Sequence, residues 1–417
     1  MELRVDKKYL EALPVVIAMV LAAVVWGVIR YYSVVAPVNP FSDWSAHLSL
    51  AEEMHLSHNV VSPHFLFQLL VIFVVELTGI SYSMAGLIVD LLSNLVLTLL
   101  LYNFYLALIS TPTFSQRILS AFAAFSTAFL APIVFSENAA NGDLYTAYLH
   151  HYRGSFHFAN VYHNPTVLLL RPFALGLFWV IFIVQAANES ILRTRFWSYL
   201  LLAVALVICN AIAKPSFLIV ILPAAGIIWL RVLYLRNWVA AKLLFFGVLV
   251  PSVLILLTQY GLSYYLQVGR VKVSIGLSPF LMMKHVFGTF GAGMLALLGA
   301  TLFPLITMAF LVKRTLSSSY FLTALAATLV AFMWAILFAE FKEGQLHPAG
   351  NFFWCIQIAL FLLFASTIRI VIEELSARHF SKDVLIICFV PIVALCGHIY
   401  MGVAWYVDTL NYVATRP

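Results

Sequence analysis

The sequence predicts an all-α membrane protein, a polytopic transmembrane helical bundle of roughly eleven spanning helices with additional juxtamembrane helices. Three observations predict it. Apolar residues make up 63% of the 417 and charged residues only 10%, with a mean hydropathy of +1.00. A soluble protein runs nearer to about 45–50% apolar and about 25% charged, so too few polar residues exist to build a water-facing shell. Apolar runs of spanning length also follow one another to the C-terminus with no polar linker, which predicts a single transmembrane domain over 1–417. In lipid, runs of that length must satisfy their own backbone groups, and helices do so.

The first run, 13–36, is long enough to span and lacks a small-residue cleavage site. It therefore reads as a retained helix, not a signal peptide. Further spans are predicted at 84–109, 118–136, 166–187, 197–213, 218–235, 238–258, 290–312, 320–339, 352–373 and 384–406. The run 64–78 is too short to join them and follows a polar stretch, so it reads as a juxtamembrane or re-entrant helix. That choice fixes the topology. Arg4, Lys7 and Lys8 place the N-terminus in the cytoplasm, and Arg117, Arg193, Arg231, Lys313, Arg369 and Lys382 then all fall inside. If 64–78 crossed, most of these charges would face outward.

The net charge of +6 and pI near 9.1 follow from this topology, because the cations sit between apolar runs and form no nucleic-acid patch. Cys209, Cys355, Cys388 and Cys396 lie inside apolar runs without C-x-x-C spacing, which argues against redox or metal use. Nucleotide-binding and hydrolase motifs are absent as well. No cofactor is expected.

The polar chemistry collects in the outer segments 37–83, 137–165, 259–289 and 340–351, together with the Lys214-Pro215-Ser216 turn. These form the candidate active-site face, and most of the histidines fall there. Asp43 follows the first span, and His47 lies four residues on, so both share one face of a helix that Ser42 or Asp43 can cap. A carboxylate at the hydrocarbon boundary suits general-base work; a plain N-cap accounts for it equally well. Lys214 sits against the positive-inside trend, which implies an anionic partner, or a simple pair with Glu340 or Glu343. The segment 340–351 packs Glu340, Lys342, Glu343, His347 and Asn351 into a turn, and His347 with Asn351 can hydrogen-bond a sugar. The histidines of 137–165 lack the spacing of a zinc site.

Asp43-x-x-x-His47 after the first helix, then Ser62-Pro63-His64-Phe65 opening a short apolar helix, resembles the start of the GT-C superfamily of integral-membrane glycosyltransferases. That superfamily includes protein O-mannosyltransferases and lipid A aminoarabinose transferases. The chain departs from it in having Pro63-His64 where a His-Pro-Pro type motif is usual, and in lacking an Arg near the start of the second span. The resemblance implies transfer of a sugar from a polyprenyl-phosphate donor to a glycan, lipid or protein acceptor on the extracytoplasmic face of the cell membrane. It implies Asp43 as catalytic base, beside His47 and His64 of the matching motifs; Lys214, His347 and Asn351 are expected at the substrates from their own placement in the outer turns. Arg270 and Lys272, with Lys284, would meet the lipid phosphate in a late outer loop. Some members that use diphosphate donors bind a divalent ion, for which Asp43, Asp143 and Glu340 or Glu343 could supply oxygens. The rival readings are a transporter or flippase of a lipid-linked saccharide, a surface-polysaccharide polymerase or ligase, and a non-catalytic scaffold. A transporter would string ionisable groups through the middle of several helices.

Overall fold

The computed structural model describes residues 7–35, 43–60, 64–107, 109, 111–133, 164–261, 273–346, 351–377 and 381–415. In chain order the helices begin with α1 (Lys7–Val35), α2 (Trp44–Ser57), α3 (Leu66–Thr78), α4 (Tyr82–Leu106), α5 (Phe114–Ser126) and α6 (Pro165–Ala186). They continue with α7 (Glu189–Thr194), α8 (Phe196–Ala213), α9 (Ser216–Tyr234), α10 (Trp238–Tyr260) and α11 (Leu281–Phe287). The last are α12 (Phe290–Phe310), α13 (Val312–Ser317), α14 (Ser319–Leu337), α15 (Asn351–Ala377) and α16 (Lys382–Thr415). Ten of these are long and apolar enough to cross a membrane, so the protein is an all-α, multi-pass membrane bundle.

The helix starts are set locally. Ser81, Thr289 and Ser318 each accept a backbone N–H of the turn they open, and Thr113 with Gln116 forms a reciprocal capping box. The central helix is α15, whose spanning window is wholly buried, with α14 and α4 among the helices packed about it. Lipid-facing surfaces remain apolar, as at Val20 and Val24 of α1.

The predicted span 118–136 is the element that differs. Its helix α5 is 13 residues long, continues as a 3-10 turn over Thr127–Phe129, turns extended at Leu130 and has no helix through Ile133. Pro132 cannot donate to a helix ladder. The neighbouring N–H groups bond sideways instead, Ala131 to the carbonyl of His398 (3.2 Å) and Ile133 to that of Gly299 (3.1 Å). The non-helical piece is thus held between α12 and α16.

The stretches 259–289 and 340–351 also hold more order than loops. Val273–Leu277, Phe338–Lys342 and Gln345–Leu346 form an antiparallel sheet, β1 to β3, in that order. Glu340 stands opposite Ile275. The β2–β3 hairpin turns on Glu343 and Gly344, both at positive φ (52° and 80°), the geometry that a two-residue hairpin loop requires.

Two ends of the bundle can be told apart. Arg117–Glu11 and Arg314–Glu373 ion pairs tie helix ends together at one of them. Asp43, Asn164, Lys214 and Glu340 gather at the other. The short helix α3 does not thread from one to the other. Gln68 pairs with His47 and Glu76 with His55, so α2 and α3 lie side by side in the same direction. His55 also meets Tyr82 at the start of α4 (2.7 Å), so α3 returns the chain to the end from which it set out. At 13 residues it is about 20 Å long, short of the roughly 30 Å hydrocarbon core.

Candidate functional site

Asp43 stands at the N-cap of α2, but its carboxylate does not cap the helix. Its backbone carbonyl accepts the N–H of His47 (3.0 Å), while Oδ2 accepts the side-chain N–H of Asn164 (3.1 Å). Asn164 is itself fixed at the start of α6. Its Oδ1 accepts the N–H groups of Thr166 (3.0 Å) and Val167 (3.3 Å) and the Thr166 hydroxyl (2.6 Å). That capping work settles which way the amide faces, so the NH2 is the group presented to Asp43. Pro165 at the first helical position completes the start.

Lys214 sits between α8 and α9 because Pro215 disfavours helix at the residue before it. Its backbone is extended (φ −170°, ψ 126°), and its N–H closes α8 on the carbonyl of Asn210 (2.9 Å). The side chain is 4% exposed, with Nζ 4.3 Å from the ring centroid of Trp354 on α15. Among the described residues the ammonium makes no direct ion pair; Asp43 and Glu340 act on it across a gap. Burial outweighs those carboxylates and draws the ammonium down to about 8. The simple pair with Glu340 or Glu343 expected of a structural lysine is thus not formed.

His64 lies at the start of α3, partly buried, close to both Lys214 and His47. Burial first, then the Lys214 charge and the neighbouring His47, hold its imidazole down to about 3, so it is neutral at physiological pH. His47 is 9% exposed and shares Nδ1 with the amide of Gln68 (3.0 Å), whose other atom, Oε1, is buried with no partner among the described residues.

Beneath α2 the site has an ionic footing. Trp44 lies over the Arg30 guanidinium at 4.6 Å, and Arg30 pairs with Asp90 at 2.6 Å, both side chains buried. Gly86 allows α2 this close approach, since a Cβ there would come within 2.8 Å of Leu48 and 3.1 Å of Trp44. Arg30 is hidden in the apolar run 13–36, and its partner Asp90 lies inside the predicted span 84–109; neither of them, nor Gln68 or Trp354, is marked by a motif. Asn164 shows its capping role in Asn164-Pro165, but nothing sequential links it to Asp43.

The structure therefore brings Asp43, His47, His64, Lys214 and Glu340 together at one bundle end. Arg270, Lys272 and His347 lie outside the described residues, as do Asp143 and the histidines of 137–163. Asn351 opens α15, and its side chain is likewise outside what is described. Among the described residues no three of His, Cys, Asp and Glu are grouped to hold a metal ion. No family model matches the chain, and neither does any curated protein or solved structure.

Proposed function

We propose that the protein is a GT-C-like integral-membrane glycosyltransferase, moving a sugar from a polyprenyl-phosphate donor to an acceptor hydroxyl. The observation that carries this reading is the nearness of a hydrogen-bonded carboxylate, Asp43, to a buried ammonium, Lys214, that makes no direct ion pair among the described residues, beneath two short helices of the first long loop. A carboxylate fixed by one amide can take the proton of an acceptor hydroxyl. The acceptor oxygen then bonds to C1 of the sugar from the face opposite the phosphate, and the C1–O bond to phosphate breaks. Polyprenyl phosphate leaves with the electron pair, and the anomeric configuration inverts. Lys214, with no direct counter-ion among the described residues, offers its charge to the phosphate as negative charge grows there. Cations at the opposite end, such as Arg117, Arg193 and Arg231, support an orientation with that end in the cytoplasm, and on this reading the site works at the extracytoplasmic face of the cell membrane.

Incubating the purified protein with a panel of polyprenyl-phosphate sugars and candidate acceptors tests this. Turnover of at least one donor is expected, abolished by Asp43→Asn with membrane insertion unchanged. Full turnover by that variant would remove Asp43 from the chemistry.

A second reading, a flippase or transporter of lipid-linked saccharide, draws support from the unwound piece at 130–133 and the interior Arg30–Asp90 pair. Translocation of a labelled lipid-linked sugar in proteoliposomes without transfer would favour it.

A further inference from the structure

Two neighbouring residues of α3 act on His47, and neither has a part in the chemistry proposed above. Phe67 and Gln68 are both fully buried, on a helix whose sequence through Val75 is otherwise apolar. Phe67 forms an apolar cluster with Val71 and with Trp44 and Leu48 of α2, which joins the two helices. Its ring meets the His47 imidazole edge-on, at 6.2 Å between centroids and 77° between planes. Gln68 brings its amide nitrogen to Nδ1 of the same imidazole at 3.0 Å. An amide buried on such a helix is costlier than the leucines that follow it in sequence, unless its bonding is used.

The contact dictates where the ring carries its proton. An amide nitrogen only donates, so Nδ1 of His47 accepts and must be bare, which puts the proton of the neutral ring on Nε2. Turning the amide over would give its oxygen to the ring and leave both of its N–H groups without a bond among the described residues. As it stands, one of them is used. The backbone N–H of His47 donates to the carbonyl of Asp43 (3.0 Å), so ring and proposed base rise from successive turns on one face of α2.

We infer that Gln68 is a positioning residue, holding His47 in the tautomer that carries its proton on Nε2. What His47 does with that proton rests on the transfer reading above; where the proton sits does not. Whatever meets Nε2 must accept a hydrogen bond. A sugar or phosphate oxygen of the donor can do so, while that nitrogen has no lone pair with which to take the proton of an acceptor hydroxyl. The base role is thus left to Asp43, and His47 serves beside it as a fixed donor whose ring plane is set by Phe67 and whose proton is set by Gln68.

The test uses full-length protein in nanodiscs with isotope-labelled histidine, read by nitrogen NMR, the His47 signals being assigned by their loss in His47→Gln. The wild type is expected to show a bare Nδ1 and a protonated Nε2. Gln68→Glu is nearly equal in size but turns the donor into an acceptor, so it should place a proton on Nδ1. Transfer from polyprenyl-phosphate sugars should then lose roughly tenfold or more in kcat with KM little changed. A protonated Nδ1 in the wild type overturns the assignment without recourse to any variant, and so does an unaltered His47 spectrum in Gln68→Glu. Wild-type kcat in a Gln68→Glu protein whose proton has moved overturns the positioning role. The expected spectra from a wild type that turns over no donor would instead sink the transfer reading and leave Gln68 in command of the tautomer.

Discussion

The side-chain amide of Asn164 donates to Oδ2 of Asp43 at 3.1 Å, while its carbonyl oxygen caps α6. One residue thus holds a helix start and the proposed base, and the two roles can be separated. Asn164→Ala removes both and costs about 1 kcal/mol for the lost cap. Asn164→Asp caps equally well, yet sets a second carboxylate against Asp43 where a donor had been. With the two carboxylates forced to share a proton, its melting temperature should stay above that of the alanine variant while transfer is lost. A melting temperature as low as that of the alanine variant, or unimpaired transfer, would contradict the division of labour.

Lys214 predicts a pH dependence. Its ammonium has an ordinary value near 10.5 and falls to about 8 in the folded protein. Between those values the unfolded chain binds more protons than the folded one, so stability rises with pH across that window. The cost of the buried charge is fully present below about 8. Lys214→Met should therefore be at least as stable as the wild type at pH 7 and should flatten the rise between pH 8 and 10.5. Glu340→Gln removes a carboxylate that supports the ammonium, so the midpoint should move below 8. Binding of a phosphate-bearing donor should weaken as pH climbs through 8 in the wild type. Melting and binding profiles over pH 6–11 read all three effects, and a flat wild-type profile would exclude a buried, depressed lysine.

Arg30 and Asp90 form a buried pair under Trp44, so breaking it differs from replacing it. Arg30→Met leaves Asp90 buried without its counter-charge and should cost about 3–5 kcal/mol. Adding Asp90→Leu removes the stranded carboxylate and should restore most of the stability. Thermal melts in detergent compare them; equal losses in single and double variants would show that the pair does not act as a unit. Because Trp44 adjoins Asp43, the restored double variant should still transfer more slowly, since the guanidinium that seats the ring is gone.

Membrane chains reveal some of this readily and hide the rest for physical reasons. The spans were legible because each is a long run of one chemistry, and Asp43, His64 and Lys214 were legible because polar residues stand out against it. Arg30 was not, because a single cation hardly changes the hydropathy of a long run; its partner Asp90 lies in another helix altogether. The strands at 273–277 and 338–342 were missed since five residues give too little alternation to separate from a loop. The span predicted over 118–136 failed for a different reason. Hydropathy counts side chains, whereas the course of the chain there is decided by backbone groups that find partners on other helices.

That interrupted segment supports the last prediction. Phe129 ends its 3-10 turn with the carbonyl directed at Gly402 of α16, so close that any side chain at 402 would collide with it. His398, one turn earlier on α16, completes the joint. Its Nδ1 meets the Ala131 carbonyl at 2.6 Å, and its Nε2 accepts the N–H of Phe303 at 3.4 Å, which assigns the ring proton to Nδ1. Gly402→Ala must push the segment out of this seat, at a cost of about 1–3 kcal/mol or more, because the opposing atom is backbone and cannot rotate away. Gly226 of α9 supplies the control, since a Cβ there would meet nothing within 4 Å. Alanine at 226 should be neutral or stabilising by up to about 1 kcal/mol, as alanine favours helix over glycine. Melting the two variants side by side checks the contrast. Equal tolerance at both positions would mean that 127–133 does not lie against α16.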